Sequence, residues 1–112
     1  MNVAAWKAVL GDRVGTDRVT PYDSAARATD LSGLPPTFIE VGALEIFRDE
    51  CIEYARQLLL HDVATELHVY SGCFHGFHLF APNARITKLA LAARNSSLAR
   101  AWYGPDKVVS AV

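Results

Sequence analysis

An acidic residue and a histidine stand thirty residues apart, each just after a predicted β-strand. Glu45 follows the strand-like run Thr37–Val41, and His75 follows the run Thr65–Tyr70. In a parallel sheet the loops after the strands converge at one edge, and neighbouring strands lie ~4.8 Å apart. We therefore expect the two side chains to reach hydrogen-bonding distance. The carboxylate would then hold one imidazole nitrogen while the other nitrogen takes a proton from a nucleophile.

The nucleophile of such a triad is not found in the 112 residues. A nucleophilic serine on a strand-to-helix elbow stands in a Gly-x-Ser-x-Gly motif. None of the serines has glycine two residues away on both sides: Ser24, Ser32, Ser71, Ser96, Ser97 and Ser110. Spacing alone also allows another interpretation, in which Glu45 is a solvated loop carboxylate and His75 is a loop histidine whose hydrogen bonds are purely structural.

Other reactive side chains near His75 have simpler interpretations. Cys73 lies in the histidine's own loop and lacks a strained elbow with oxyanion donors, so we interpret it as a small packing residue. The four histidines do not form a compact ligand pattern such as His-Glu-x-x-His, and no metal site is predicted: they are His61, His68, His75 and His78.

Three phenylalanines flank His75 in the sequence, namely Phe74, Phe77 and Phe80. We expect them to pack the loop into the core. The alternative is that Phe77 or Phe80 lines an acyl pocket.

The predicted elements alternate between helix and strand. A helix over Val3–Leu10 is followed by an irregular segment, Asp12–Pro36, which we expect to contribute little to the core. The strand Thr37–Val41 comes next. A helix then spans Asp49–Leu60, with its buried stripe at Ile52, Ala55, Leu58 and Leu59. After the strand Thr65–Tyr70, a last helix spans about Asn83 to Trp102, with Ile86, Leu89, Ala90 and Ala93 on one face.

The order strand, helix, strand, helix implies two parallel strands joined by a right-handed crossover, and therefore an α/β fold. Two parallel strands are too few for a complete sheet of this kind, which needs cover on both faces. We expect one edge of a larger α/β sheet. Residues 1–36 would form the helix and irregular segment, 37–102 the βαβα unit and 103–112 a tail.

Composition excludes several classes of protein. Hydrophobic residues make up 51% and charged residues 21%, as in a folded protein, and the net charge is −1 without a basic stripe for nucleic acid. No run reaches the ~18 apolar residues of a membrane span. Cys51 and Cys73 suit a reducing compartment better than a disulfide framework. A cytoplasmic chain is expected.

Three blocks of the sequence resemble the α/β-hydrolase fold-3 family, the hormone-sensitive-lipase-like esterases. The first block is Leu31–Gly42, the second is Leu44–Glu50 with Tyr54–Leu58, and the third is Gly72–Phe77. The resemblance extends over about Trp6 to Trp102. It implies an α/β-hydrolase fold and activity on small or medium carboxylic esters, with no metal or cofactor.

The resemblance implies that Glu45 is the triad acid, where Asp is more usual in the family, and that His75 is the base. Asp49 is the competing acid. We prefer Glu45 because Asp49 adjoins Arg48 at the predicted start of a helix, where a carboxylate satisfies free N–H groups and the helix dipole.

The family's His-Gly-Gly oxyanion segment and its serine elbow lie upstream of these blocks, which would place them before Met1. We therefore expect a C-terminal part of an esterase, inactive as an isolated chain, whose substrate in the full-length context is a small ester. The alternative is a non-catalytic interaction module that uses an exposed sheet edge for self-association or to bind a complementing chain.

Overall fold

Two parallel strands form the sheet, and their carboxyl ends lie at the same edge. The computed structural model describes residues 3–104. Strand β1 spans Thr37–Gly42 and strand β2 spans Thr65–Tyr70. They pair in register from Thr37 opposite Thr65 to Gly42 opposite Tyr70. The predicted α/β class is confirmed, and the strand bounds agree with the prediction to within one residue.

Within residues 3–104, four helices accompany the sheet: α1 Val3–Leu10, α2 Arg48–Leu60, α3 Phe77–Phe80 and α4 Arg85–Tyr103. Short 3₁₀ turns at Gly11–Arg13 and Ala25–Arg27 interrupt the irregular segment. The one-turn helix α3 is absent from the prediction. Of the predicted tail, residues 105–112 lie outside the described range. Between residues 3 and 104, no helix combines the length and apolar character needed to cross a membrane.

Helix α2 is the crossover between the strands and covers one face of the sheet. Its Leu58 is buried in a cluster with Leu31 and Val63, against which Ile39 of β1 packs. The irregular segment thus contributes Leu31 to the core, contrary to the expectation that it contributes little. This burial is possible because the segment folds back over α2 instead of crossing solvent.

The predicted stripe of α2 is too wide. Ala55 and Leu58 are buried, whereas Ile52 and Leu59 are exposed. An α-helix turns ~100° per residue, so Ile52 and Leu59 stand to one side of the line through Ala55 and Leu58. Only that line faces the sheet.

Helix α4 belongs to the opposite face. Its Ala90 is buried in a second cluster with Tyr70, Cys73 and Phe77, and Ile86 packs against that cluster. Leu89, predicted to share this face, is exposed, while Thr87 is fully buried. Thr87 tolerates burial because its hydroxyl donates to the Ala81 carbonyl at 2.7 Å.

Charged pairs also join α4 to the strands. Arg94 binds Glu40 of β1, and Arg100 binds Glu66 of β2 at 2.7 Å. The sheet therefore lies between α2 and α4, which is the cover that parallel strands require.

Candidate active site

The loop after β1 is tied to the end of β2 and to the loop that follows it. The Ala43 amide donates to the Tyr70 carbonyl at 2.8 Å, and the Leu44 amide donates to the Cys73 carbonyl at 3.0 Å. The Glu45 amide closes a turn onto the Gly42 carbonyl at 3.1 Å. These bonds fix the relative position of the two loops that carry Glu45 and His75.

Gly42 permits this close approach. A Cβ at position 42 would lie 2.3 Å from the Cys73 carbonyl oxygen and 2.8 Å from its carbonyl carbon. Both atoms are backbone and cannot rotate away. The absence of a side chain at the end of β1 is therefore what lets the histidine loop pack against the acid loop.

The structure brings Glu45 and His75 together. The Glu45 Oε1 to His75 Nδ1 distance is 3.4 Å. This distance suits an ion pair and is slightly longer than an ordinary N–H···O hydrogen bond of ~2.7–3.2 Å. The Glu45 side chain is only 10% exposed, whereas that of His75 is 77% exposed. The acid is thus enclosed, and the imidazole has a largely open face for a reacting group.

Gly76 ends the histidine loop. Its φ of 74° is left-handed, and it immediately precedes α3. A side chain at this φ would be strained, so glycine lets the chain turn sharply from His75 into α3.

A cavity of about 320 Å³ adjoins the pair. Glu45 and His75 line it together with residues of β1, the glycine before α3, and α3 itself, namely Glu40, Val41, Gly42, Gly76, Phe77, His78, Leu79 and Phe80. A volume of this size is at the lower end of the ~300–1,000 Å³ typical of small-molecule sites.

The aromatic residues near the histidine have different environments. Phe77 is buried against the Tyr70 ring, with 5.8 Å between ring centroids. Phe80 is exposed at the cavity and pairs with Phe74 at 6.0 Å. Packing into the core therefore applies to Phe77 but not to Phe74 or Phe80. Both Phe77 and Phe80 line the cavity.

The competing acid, Asp49, has another partner. Its Oδ1 accepts a hydrogen bond from Arg48 Nε at 2.8 Å, in the first turn of α2. That hydrogen bond and the charge of Arg48 lower the pKa of Asp49 below its ordinary value. Arg48 also donates to the Ala43 carbonyl at 3.0 Å, so this exposed pair braces the acid loop from its outer side.

The cysteines and His68 have structural surroundings. Cys73 is buried, with its Sγ 3.6 Å from the Ser71 carbonyl oxygen. Burial and the nearby Glu45 carboxylate raise the pKa of the Cys51 thiol, which keeps it in the unreactive form. His68 Nε2 lies 2.8 Å from Glu66. Across residues 3–104, no group of three or more His, Cys, Asp or Glu side chains is arranged to hold a metal ion.

Residues 1–79 match the model of a protein family described as alpha/beta hydrolase fold. The chain belongs to the α/β-hydrolase fold-3 family. The match includes both loops of the candidate site. In this family the fold's catalytic acid follows the nucleophile in the chain and the histidine comes last, which agrees with the order of Glu45 and His75.

Named relatives of this α/β-hydrolase are esterases. An esterase of Acinetobacter venetianus is 33% identical over 79 residues, which cover 69% of this chain and 26% of that protein. The structure of esterase LipW from Mycobacterium marinum is 36% identical, with a TM-score of 0.75, over 78% of this chain and 28% of LipW. A bacterial heroin esterase is 41% identical, with a TM-score of 0.74, over 77% and 27% of the two chains.

This α/β-hydrolase chain therefore spans only about a quarter of the length of the relatives it matches.

Two residues of the site are missing from the sequence-based prediction. One is Gly42, whose contact with Cys73 depends on the packing of two loops. The other is Phe47, whose ring lies against the His75 imidazole with 5.5 Å between centroids and 61° between planes. The sequence placed Phe47 beside the acid but held no signal of which loop its ring would meet.

Proposed function

We propose that this chain supplies the acid and the base of a carboxylic-ester hydrolase, with Glu45 as the acid and His75 as the base. The observation that carries the proposal is the 3.4 Å approach of Glu45 Oε1 to His75 Nδ1. A largely enclosed carboxylate beside an exposed imidazole, on the loops after adjacent parallel strands, is the arrangement that the acid–base half of a triad requires. The esterase relatives support the substrate class.

In the first half of the reaction, His75 would act as a general base. Its Nε2 takes the hydroxyl proton of a serine while that serine oxygen bonds to the ester carbonyl carbon. The imidazole becomes a cation, and the carbonyl oxygen becomes an oxyanion. Glu45 stabilises the cation from the Nδ1 side and keeps the ring oriented. The His75 proton then passes to the leaving alcohol as the carbonyl re-forms, which leaves an acyl-serine.

In the second half, the same residues would act on water. His75 takes a proton from a water molecule whose oxygen attacks the acyl carbon, and it returns that proton to the serine oxygen as the carboxylic acid departs. The Glu45 carboxylate keeps its charge throughout. No net proton is gained or lost by the protein over the cycle.

The serine and the oxyanion donors must come from another part of the fold. The chain has neither a Gly-x-Ser-x-Gly elbow nor a His-Gly-Gly segment. Loss of a single oxyanion donor typically costs ~10²–10³ in rate. The 112 residues alone are therefore expected to show no serine-dependent turnover.

A chimeric enzyme tests the proposal. The segment of Mycobacterium marinum LipW that aligns with this chain is replaced by residues 1–112, and hydrolysis of p-nitrophenyl acetate and butyrate is measured. We expect turnover that is blocked by a serine-directed phosphonate. His75→Ala should lower kcat by about 10⁴-fold or more, the range seen for triad knockouts.

Asp49→Asn is the matched control for Glu45→Gln. Glu45→Gln should lower kcat by up to about 10⁴-fold, because a neutral amide does not stabilise the imidazolium. Asp49→Asn should perturb only the start of α2. A larger loss of kcat in Asp49→Asn than in Glu45→Gln, with both variants folded, would show that the acid is misassigned.

A second candidate function is a non-catalytic interaction module. Exposed apolar side chains lie in the loop after β1 and at the end of α3, namely Leu44, Ile46, Leu79 and Phe80. Such side chains, together with an open strand edge, favour binding of another chain. An inactive chimera that is folded, together with stable self-association of the chain, would favour this module over the esterase.

A further inference from the structure

Phe47 is the aromatic neighbour of the His75 imidazole. The two ring centroids are 5.5 Å apart, and the rings meet at 61°, close to an edge-to-face contact. Phe47 immediately precedes α2, and its carbonyl accepts the Cys51 amide at 3.0 Å. The helix thus fixes the position of the backbone from which this ring projects.

The acid holds His75 loosely. The Glu45 to His75 distance of 3.4 Å exceeds an ordinary hydrogen bond, and the imidazole side chain is 77% exposed. An exposed side chain on a loop is free to change rotamer on the picosecond to nanosecond timescale. A second contact that limits ring rotation therefore has a direct effect on how often Nδ1 faces Glu45.

We propose that Phe47 is a positioning residue for His75, acting by packing its ring against the imidazole so that Nδ1 stays directed at Glu45. This inference rests on the proposed function of His75 as the base. It adds a residue to the acid–base unit and does not assign Phe47 any contact with the reacting atoms.

The geometry of the contact supports this role. An edge-to-face aromatic contact prefers centroid separations of 4.5–7 Å, so the observed separation is favourable. Rotation of the imidazole away from Glu45 would break this contact.

The test measures the His75 tautomer in the chain itself. The chain is labelled with ¹⁵N in the histidine rings, and the Nδ1 and Nε2 chemical shifts at alkaline pH give the ratio of Nδ1–H to Nε2–H forms. The hydrogen bond of one ring nitrogen sets the tautomer, so this ratio reports how often Nδ1 donates to Glu45. Phe47→Leu is expected to lower the ratio roughly threefold, which is the change in an equilibrium expected from the loss of one aromatic contact.

Phe74→Leu is the matched control. Phe74 adjoins His75 in the sequence, but its ring pairs with Phe80. Phe74→Leu should therefore leave the tautomer ratio unchanged. Phe47→Tyr keeps an aromatic ring at position 47 and should also give the ratio of the original chain. The amides of Ala43 and Leu44 donate to the carbonyls of Tyr70 and Cys73, so their chemical shifts report whether the acid loop is intact in each variant. An unchanged ratio in Phe47→Leu with those amides unperturbed would refute the proposal.

Kinetics of the chimera provide a second measurement where a variant of the isolated chain fails to fold. Phe47→Leu should lower kcat about threefold to tenfold with KM unchanged, and Phe47→Tyr should restore kcat. A raised KM with unchanged kcat would contradict a positioning role. The two proposals can fail separately: full activity of His75→Ala would overturn the proposed function, whereas a severe effect of His75→Ala with none of Phe47→Leu would overturn this inference alone.

Discussion

Gly42→Ala should separate the acid from the base without touching either. The new Cβ would meet the Cys73 carbonyl oxygen at 2.3 Å, and ordinary van der Waals contact begins at 3.4 Å, so the two loops must move apart by about 1.1 Å. That movement strains the hydrogen bonds from Ala43 to Tyr70 and from Leu44 to Cys73. Overpacking of this kind typically costs ~1–3 kcal/mol of stability. A 1 Å misplacement of catalytic groups can cost about 10²-fold in rate.

The assay is thermal melting and p-nitrophenyl butyrate hydrolysis of the LipW chimera, with Gly72→Ala as the control. Gly72 lies in the histidine loop at a φ of 70°, and a Cβ there meets nothing within 4 Å. Gly72→Ala should therefore cost only the ~1–2 kcal/mol of a left-handed alanine and leave kcat nearly unchanged. If Gly42→Ala lowered kcat no more than Gly72→Ala, the close approach of the loops would not be what positions Glu45 and His75.

Three further predictions concern the charged groups and the assembly of the chain. Arg94→Leu removes the cation that pairs with Glu40. The other Glu40 oxygen is already buried without a partner among the described residues. The chimera should therefore lose about 2 kcal/mol of stability in thermal melts. The double variant with Glu40→Leu should lose less, and an equal or larger loss would contradict the pairing. Asp23 has its pKa lowered to about 2, first by the hydrogen bond from Arg13, so its contribution to stability is full above about pH 4 and is lost as the pH falls through about 2. In a plot of melting temperature against pH, Asp23→Asn should reduce the fall in stability between about pH 4 and pH 2. The same pH dependence in the variant and the original chain would contradict this role of Asp23. The isolated chain should self-associate, because its strand edges are open and its loops expose apolar side chains. Size-exclusion chromatography with light scattering should give a molar mass above the 12.2 kDa of one chain. A monomer that melts cooperatively at high concentration would contradict this prediction.

The sequence predicted the strands and the meeting of Glu45 with His75 because both follow from local patterns. β-branched and aromatic residues bounded by Pro or Gly indicate β1 and β2. Parallel pairing then places the two loops at one edge regardless of other details. The proximity of an acid and a histidine thirty residues apart thus required no knowledge of side-chain packing.

Other features depend on packing that local patterns do not encode. The one-turn helix α3 has four residues, too few for a helical period to appear, and it exists because Gly76 turns the chain into it. The exposure of Ile52 and Leu59 depends on which side of α2 meets the sheet. The Glu40–Arg94 pair joins residues 54 apart, and the contacts of Gly42 and Phe47 with the histidine loop likewise arise only once the elements have docked.

The most direct test of the central claim is a double-variant cycle on Glu45 and His75 in the chimera. If the two residues act as one unit, His75→Ala already removes what Glu45 supports. The variant Glu45→Gln/His75→Ala should then have the same kcat as His75→Ala alone, as in catalytic triads whose members are removed together. A double variant whose loss equals the product of the two single losses would show that Glu45 and His75 act independently, and would contradict the account.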